Sequence, residues 1–585
     1  MKRGAVLFSA LITACAPGIR EPTGAADLVL RGGAVYTVDA ARPWAEAVAV
    51  RGGKIAAVGS DREVEEWIGP RTTVIDLEGR MVLPGFHDSH VHPVTGGIER
   101  KECDLNGIGD VEGILAAIRR YVEAHPAAHW VRGGGWELTL FRDGNPHKAL
   151  LDGVVSDRPV ALTAADGHSL WVNSRALSTA GIDRDTPDPP KGRIERDPET
   201  GEPSGTLRES AMDLVELPPH SQEEFLAGAR EGLRLAAQFG ITSLFEASAS
   251  QEILEAYFVL DLYGELTARV RAAITIDPEN PAEEVRAIEL RRRLRCGRLR
   301  PEAVKIFADG VIEARTAAMV EPYADRAGDR GPEEPDAETL ARAAAAFDRA
   351  GFQIHVHAIG DRAVRSTLDA FERARAANGP RDARPVLAHI QVIHPDDRPR
   401  FRALGAIACF QPFWAYPDAY ITELTEPGLG PERSRWIYPI GSVARTGAAL
   451  AFGSDWSVSS MNPLDGIQVA VTRRDPASSE GPAWLPDERI DLAAALRAAT
   501  LGGAFAAFQE STTGSLEVGK AADLVVLDRN LFEIPPSEIG RARVLLTLLE
   551  GEVVWRDPSF EATTSAYGAQ RDAARRRASR SPSGS

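Results

Sequence analysis

Two histidines separated by one residue, His90 and His92, are the first side chains in the sequence whose spacing suggests chemistry. Alternate residues of a strand face the same side, so both imidazoles could reach one cation. Neutral imidazole is a common ligand of zinc and related metals. A His-x-His pair alone is weak evidence, but His87 and Asp88 crowd the same turn. The pair therefore predicts the beginning of a metal site.

Four later positions place a potential ligand at the end of an apolar, strand-like run: Lys305, His357, His389 and Asp455. Lys305 is the most unusual, because a buried ammonium without a partner is costly. Each position also has a structural alternative. Lys305 could lie at a strand edge with its stem reaching water, His389 could be a core histidine, and Asp455 could cap a turn. In order, the strand ends offer His-x-His, Lys, His, His and Asp, which indicates one shared site. His355 lies on the same strand face as His357.

Alternating helix-like and strand-like segments in the middle of the chain would position these residues. Helix patterns over 337–350, 363–377, 396–404 and 442–446 are each followed by a strand pattern, over 352–356, 385–388, 406–410 and 448–452. Such αβ repeats predict an α/β fold with a parallel sheet. Periodicity alone does not separate a closed barrel from an open sheet. Chemical residues at the carboxyl ends of successive strands favour a TIM-like (β/α)8 barrel.

Short strand-like segments split by Gly-containing turns occupy both ends of the chain, before residue 84 and after residue 521. They predict a composite β-sandwich formed by the N- and C-terminal segments. We assign residues 27–83 and 512–558 to this sandwich, and residues 84–511 to the barrel between them. The Arg-containing segment 559–585 is expected to be a disordered basic tail.

The first 26 residues are expected to be a lipoprotein signal peptide and tether. A basic start precedes an apolar stretch that is too short to span a bilayer and ends in Leu-Ile-Thr-Ala-Cys. This ending resembles a bacterial lipobox and predicts lipid attachment at Cys15. An ordinary signal peptide or a chance cysteine is the alternative. The prediction implies export to the bacterial cell envelope, with a lipid anchor as the contact with the membrane.

The amino-acid composition excludes few functions, but it limits the classes of molecule that the protein is expected to bind. The hydrophobic fraction of 44% and the charged fraction of 26% are typical of soluble globular proteins. A net charge of −17 argues against nucleic acid as the main partner. The remaining cysteines, Cys103, Cys296 and Cys409, suggest no disulfide framework. We expect a small-molecule substrate, and a homo-oligomer stays open.

The chain resembles the amidohydrolase superfamily, and most closely its family-3 branch, which includes N-substituted formamide deformylases. The resemblance spans about residues 27 to 557, and the segments that carry it are 84–92, 305–310, 357–363, 453–455 and 514–524. It implies a TIM-like barrel beside a composite sandwich. It also implies one or two divalent ions, typically Zn²⁺, with His90 and His92 on one ion and His357 and His389 on a second.

Two roles in the site are likewise implied by the resemblance. Lys305 would bridge the ions as an N6-carboxylated lysine, which would turn a buried cation into an anion. Asp455 would bind the first ion, take the proton of the attacking water and pass it to the leaving nitrogen. One position departs from the branch, which usually has Glu before the fourth histidine. Here Ala388 stands there, so a contact that tunes His389 is expected to be missing.

Substrate contacts are harder to assign from the sequence. His168, Trp136 and Asn173 match the branch pattern and are candidate substrate-binding residues. Trp136 could instead belong to the core, and Asn173 could be a helix cap. Trp414 and Tyr416 could line an apolar pocket.

The resemblance implies hydrolysis of a C–N bond in a non-peptide amide or N-substituted formamide. Two alternatives stay open. One is an ester, lactone or N-acyl amino-acid hydrolase that uses the same site. The other is an inactive, lipid-anchored binding or regulatory protein, and the intact ligand set at all five strand ends counts against it.

Overall fold

The computed structural model describes residues 24–560, except residues 191 and 479, and the strand Thr564–Ala566. The predicted leader up to residue 23, with its predicted lipidation site Cys15, and most of the predicted basic tail lie outside the described residues. Residues 24–26 of the predicted tether are described, and Ala26 is buried in an apolar cluster with Val29 and Val74. Within the described ranges, no helix combines the length and the apolar character needed to cross a bilayer.

Eight parallel strands form the central sheet, and we label them β1 to β8 in chain order. Their bounds are Phe86–Val91 (β1), Ile241–Ala249 (β2), Arg269–Thr275 (β3), Leu299–Phe307 (β4), Gln353–Ala358 (β5), Val386–His389 (β6), Ile407–Phe410 (β7) and Ala449–Phe452 (β8). Neighbours in the chain pair with each other throughout. Beyond β8, the Asp455 N–H donates to His90 O at 2.7 Å, and the His92 N–H donates to Trp456 O at 2.9 Å. The ring therefore closes at the residues predicted to do chemistry, and the predicted barrel is confirmed.

Helices cover the outside of the barrel and fill its loops. The helix Ala337–Arg349 illustrates why they form: Asp336 accepts a hydrogen bond from the Thr339 N–H at 2.7 Å, and Leu340, Ala344 and Phe347 are buried along one face. The other helices are Asp61–Val64, Pro93–Glu99, Val111–Ala124, Lys148–Asp152, Ser174–Ala180, Gln222–Gln238, Gln251–Leu262, Pro281–Arg291, Asp361–Asn378, Arg398–Leu404, Glu426–Arg433, Ile440–Arg445, Pro463–Thr472, Leu492–Arg497 and Gly503–Ala506.

The two ends of the chain build the predicted sandwich. One sheet contains Leu28–Arg31, Ala47–Arg51, Lys54–Gly59, Thr73–Asp76 and Thr564–Ala566. The other contains Ala34–Tyr36, Trp44–Ala45, Met81–Pro84, Leu524–Leu527, Val544–Leu549 and Glu552–Arg556. The ends join where Met81–Pro84 pairs antiparallel with Leu524–Leu527, and Val82 and Val526 are buried there in the core between the sheets.

The second sandwich segment extends past the predicted boundary at residue 558. Thr564–Ala566 pairs antiparallel with Thr73–Asp76, inside the segment expected to be disordered. A three-residue strand of small residues has no alternating pattern to reveal it. Its position depends on an open sheet edge that only the folded sandwich provides.

An inserted sheet separates β1 from β2, and the sequence pattern did not distinguish it from the barrel range 84–511. Its strands are Cys103–Asp104, Val131–Trp136, Val160–Ala164, Ser169–Val172, Gly192–Arg196 and Pro203–Glu209. The insertion has its own apolar core around Trp136 and Trp171. It lies at the carboxyl ends of the barrel strands and contributes one wall of the cavity described below.

Candidate metal centre and active site

His90, His389 and Asp455 form the centre of the site. Each is buried, and each offers one ligand atom that lies within 4.8 Å of the other two. Asp455 Oδ1 is 3.5 Å from His90 Nε2, and Asp455 Oδ2 is 3.8 Å from His389 Nδ1. Burial holds the pKa of both imidazoles well below its usual value, so both are neutral at neutral pH. Two neutral imidazoles and a carboxylate suit a divalent metal such as Zn²⁺.

His92 and Lys305 adjoin this centre. His92 Nε2 is 3.1 Å from Asp455 Oδ1, and Lys305 Nζ is 3.3 Å from His90 Nε2. Burial opposes the proton on His92, but Asp455 and Glu246 outweigh it and raise the pKa of His92 to about 9. A divalent ion here would therefore displace a proton from His92.

Lys305 is not a strand-edge lysine that reaches water. Its side chain is 1% exposed and enters the barrel from β4. Burial lowers the pKa of Lys305 to about 8, although the Asp455 carboxylate opposes this change. The amine is therefore neutral in a substantial fraction of molecules slightly above neutral pH.

His357 lies beside the centre rather than within its tightest group. Its ring centroid is 4.5 Å from that of His389, and its Nε2 is 3.2 Å from Gly310 O. The six predicted ligand residues thus converge on one site at the carboxyl ends of the barrel strands. Three form the tight group, and the other three, His92, Lys305 and His357, surround it.

The backbone at the site is strained. His389 has φ of 71° and Asp455 has φ of 54°, which is the left-handed region that non-glycine residues rarely adopt. Such conformations cost on the order of 1–3 kcal/mol each and persist where surrounding contacts impose them. The carboxylate of Asp88 supplies two such contacts, accepting from the Ser454 N–H at 2.9 Å and the His90 N–H at 3.3 Å.

Three buried side chains outside the predicted ligand set contact the predicted ligands: His355, Glu246 and Gln411. His355 Nε2 is 2.8 Å from His90 Nδ1, and Glu246 Oε1 is 3.5 Å from His92 Nδ1. In both pairs the ligand's other nitrogen, Nε2, faces Asp455. A partner on the second nitrogen fixes the orientation of a ligand histidine. Glu246 could have been found from the sequence, because it is a lone carboxylate in the apolar run 241–249.

Gln411 supplies a polar contact to His389, which the side chain of Ala388 cannot make. Ala388 packs in the barrel interior and offers no polar atom. Gln411, which follows β7, places its Oε1 3.0 Å from His389 Nδ1. His389 therefore has a polar partner from the neighbouring strand end, on the same nitrogen that faces Asp455.

Substitution of His355 by Ala should weaken metal binding about 10- to 100-fold, as is usual when a ligand's orienting partner is lost. Zinc affinity measured by chelator competition would report this effect directly. His87→Ala is the matched control, because His87 is also buried in the barrel wall but its Nε2 forms no hydrogen bond. Unchanged zinc affinity in the His355 variant, or an equal loss in both variants, would refute the orienting role.

A cavity of about 590 Å³ opens above the metal centre. That volume suits a small-molecule substrate. Trp414 and Tyr416 line it as predicted, and the Trp414 ring is stacked on His389 with centroids 5.8 Å apart. His168 also lines it, and Nδ1 of His168 is 2.9 Å from Glu209 Oε2. Burial opposes protonation of His168, but Glu209 outweighs it and raises the pKa of His168 to about 9.

The structure does not bring the other two candidate substrate contacts to the cavity. Trp136 is fully buried in the core of the insertion, where its Nε1–H donates to Leu162 O at 2.8 Å. Asn173 caps the helix Ser174–Ala180 by accepting from the Ala176 N–H at 2.9 Å. Trp136 is therefore a core residue and Asn173 a helix cap, which are the structural alternatives given for them above. The neighbouring residues Gly134, Gly135 and Glu137 line the cavity instead.

Comparison with known proteins agrees with this geometry. The family model described as "Amidohydrolase family" matches residues 73–555. The chain is 33% identical to the protein LONG AFTER FAR-RED 3 of Arabidopsis thaliana over 558 residues, which cover 92% of this chain and 93% of that protein. It is 28% identical to the N-substituted formamide deformylase of Arthrobacter pascens over 553 residues, which cover 90% of this chain and 97% of that protein.

A solved structure shares the fold. It is an uncharacterized metal-dependent hydrolase from Pyrococcus horikoshii OT3, with a TM-score of 0.69 and 24% identity, and the match covers 87% of this chain and 99% of that chain. The resemblance seen in the sequence motifs is confirmed: this chain belongs to the amidohydrolase family.

Proposed function

We propose that this chain is a metal-dependent hydrolase that cleaves the C–N bond of a non-peptide amide or N-substituted formamide. The observation that carries the proposal is the position of Asp455. Its carboxylate contacts His90, His92 and His389 at the floor of the cavity, where a substrate carbonyl and a water would meet. The similarity to an N-substituted formamide deformylase supports the choice of bond.

The proposed ligands of one or two divalent ions are His90, His92, Lys305, His357, His389 and Asp455. The donor set of imidazoles and a carboxylate favours Zn²⁺. A divalent ion supplies Lewis-acid activation of the water and of the scissile carbonyl. Lys305 would contribute as a carboxylated lysine: its neutral amine forms a bond to CO₂ and releases one proton. The lowered pKa of Lys305, about 8, supports this step because it increases the neutral fraction.

The chain's own residues account for the proton movements. Asp455 accepts the proton of the attacking water as the water oxygen bonds to the carbonyl carbon. It then delivers that proton to the nitrogen as the C–N bond breaks, which leaves a carboxylic acid and an amine. His168 is the candidate donor to the developing oxyanion, because it lines the same cavity and is held by Glu209.

Metal content together with a substrate panel tests this function. We expect purified protein to carry about one to two equivalents of metal. We also expect it to hydrolyse N-alkylformamides or amides with a higher kcat/KM than matched esters and lactones. His90→Ala should lose metal and activity, whereas exposed His125→Ala should keep both. Wild-type protein without stoichiometric metal would contradict the proposal and favour an inactive binding protein. Preference for esters or lactones would favour the other alternative.

A further inference from the structure

Six carboxylates line the cavity: the proposed ligand Asp455, then Glu99, which accepts from the Ser457 hydroxyl, and a group of four, Glu137, Asp166, Glu313 and Asp418. We call this group of four the acidic wall. Glu137 and Asp166 come from the inserted sheet, Glu313 follows β4, and Asp418 follows β7. Because separate segments supply them, the wall is assembled by the fold and is not a run of surface charges.

Neutral hydrogen-bond donors, rather than ion pairs, hold the acidic wall in the described part of the chain. None of the four forms an ion pair with a Lys, Arg or His side chain among the described residues, and the nearby His168 is paired with Glu209 instead. Glu313 accepts from the Gln391 amide at 3.2 Å and from the Thr425 hydroxyl. These neutral donors hold a carboxylate in place without cancelling its charge.

Asp418 and Asp166 also lack an ion pair among the described residues. Burial raises the pKa of Asp166, and the nearby charges of His168 and Arg208 offset only part of this rise. Asp418 accepts from the Ile421 N–H at 2.9 Å, and burial together with Glu313 and Glu137 raises its pKa to about 6. Asp166 accepts from the His168 N–H at 2.9 Å through Oδ1, while its Oδ2 is inaccessible to solvent and has no hydrogen-bond partner. A carboxylate without a full set of donors is costly, so a ligand that donates hydrogen bonds to the accessible part of the acidic wall would be stabilised.

The rest of the lining favours a cationic ligand over an anionic one. Lys305 is the single lysine or arginine among the described lining residues, and it lies at the floor beside His90. Protonated His168 also lines the cavity, but the Glu209 carboxylate already pairs with it. An anionic group beside the acidic wall would therefore meet mainly like charges. Tyr416 and Tyr420 also line the cavity, and aromatic rings attract cations.

We propose that the substrate carries, besides the scissile bond, a positively charged ammonium or guanidinium group that the acidic wall binds. The inference rests on the proposed function for the scissile bond. It also separates that function from N-acyl amino-acid hydrolysis, since the substrates of that reaction carry a carboxylate. The products would be a carboxylic acid and an amine with a second cationic nitrogen.

Binding of non-substrate ligands tests the acidic wall without catalysis. The probes are an n-alkylguanidinium and the n-alkylurea of equal length, which have similar shape but differ in charge. Calorimetry with the metal-loaded wild-type protein should show the guanidinium binding at least about tenfold more tightly. In Glu313→Gln/Asp418→Asn this ratio should fall below about threefold. The exposed control Glu66→Gln should keep the wild-type ratio.

A comparison of kcat/KM for two substrates is the second test of the acidic wall. A monoformylated diaminoalkane should exceed the N-alkylformamide of equal length in kcat/KM by about tenfold or more, mainly through KM. Equal binding of guanidinium and urea by the wild type, or a preference that survives in the double variant, would overturn the inference. If the double variant fails to fold by circular dichroism, the two single variants carry the same comparison.

The two failures can be told apart. Hydrolysis of formamides with no preference for the cationic substrate would leave the proposed function standing and reject the cationic group. Selective guanidinium binding without hydrolysis of any amide or formamide would support the acidic wall and reject the proposed reaction.

Discussion

Asp455→Asn should lower kcat/KM by about 10³-fold or more, within the range expected when a general base is removed. The amide has nearly the shape of the carboxylate but cannot accept a proton from water or return it to the leaving nitrogen. The loss should appear chiefly in kcat, because the cavity that binds substrate is unchanged. Steady-state kinetics on the best formamide of the panel, with metal content measured on the same sample, would check it.

A matched control separates catalysis from folding. Asp361 is also buried, but it accepts a hydrogen bond from the Val320 N–H away from the centre. Asp361→Asn should lower stability while kcat stays within about threefold of wild type. An Asp455→Asn protein that keeps its metal and retains activity within about tenfold of wild type would show that Asp455 is not the base.

The barrel and the sandwich were predictable because their signals are local. Alternating helical and extended patterns, as over Ala337–Arg349 and β5, reflect burial of one face. The inserted sheet lacks that signal. Val131–Trp136 contains three consecutive glycines, and Gly192–Arg196 is largely charged, so neither shows the expected alternation. Their pairing is decided by the fold around them.

The convergence of the candidate ligands was predictable for a related reason, since an ionisable residue within an apolar run is costly to bury without a partner. The same argument identifies Lys305 as a candidate site residue and would also have identified Glu246. That argument does not identify Gln411, because its contact with His389 depends on which strand ends meet. The acidic wall is a stronger example, because its members are far apart in sequence and become a group only when the insertion folds over the barrel.

Lys305→Ala should be nearly inactive, with kcat/KM lower by about 10³-fold or more, if the lysine supplies a carboxylate to the metal centre. The amine lies 3.3 Å from His90 Nε2 in a buried setting, so its loss removes a ligand and leaves a space. Formate, acetate or propionate could occupy that space and restore a carboxylate. We therefore expect these acids to recover part of the activity and of the bound metal in Lys305→Ala.

The choice of rescuing compound distinguishes the chemical roles of Lys305. Lys305→Met fills most of the space with an apolar chain and should be inactive without rescue by acids. Rescue of Lys305→Ala by alkylamines instead of carboxylic acids would show that Lys305 acts as an amine and is not carboxylated. Near wild-type metal content and activity in Lys305→Ala would remove it from the centre altogether. The distinction matters because a carboxylate gives the buried imidazoles an anionic partner, whereas an ammonium among them would repel a divalent ion.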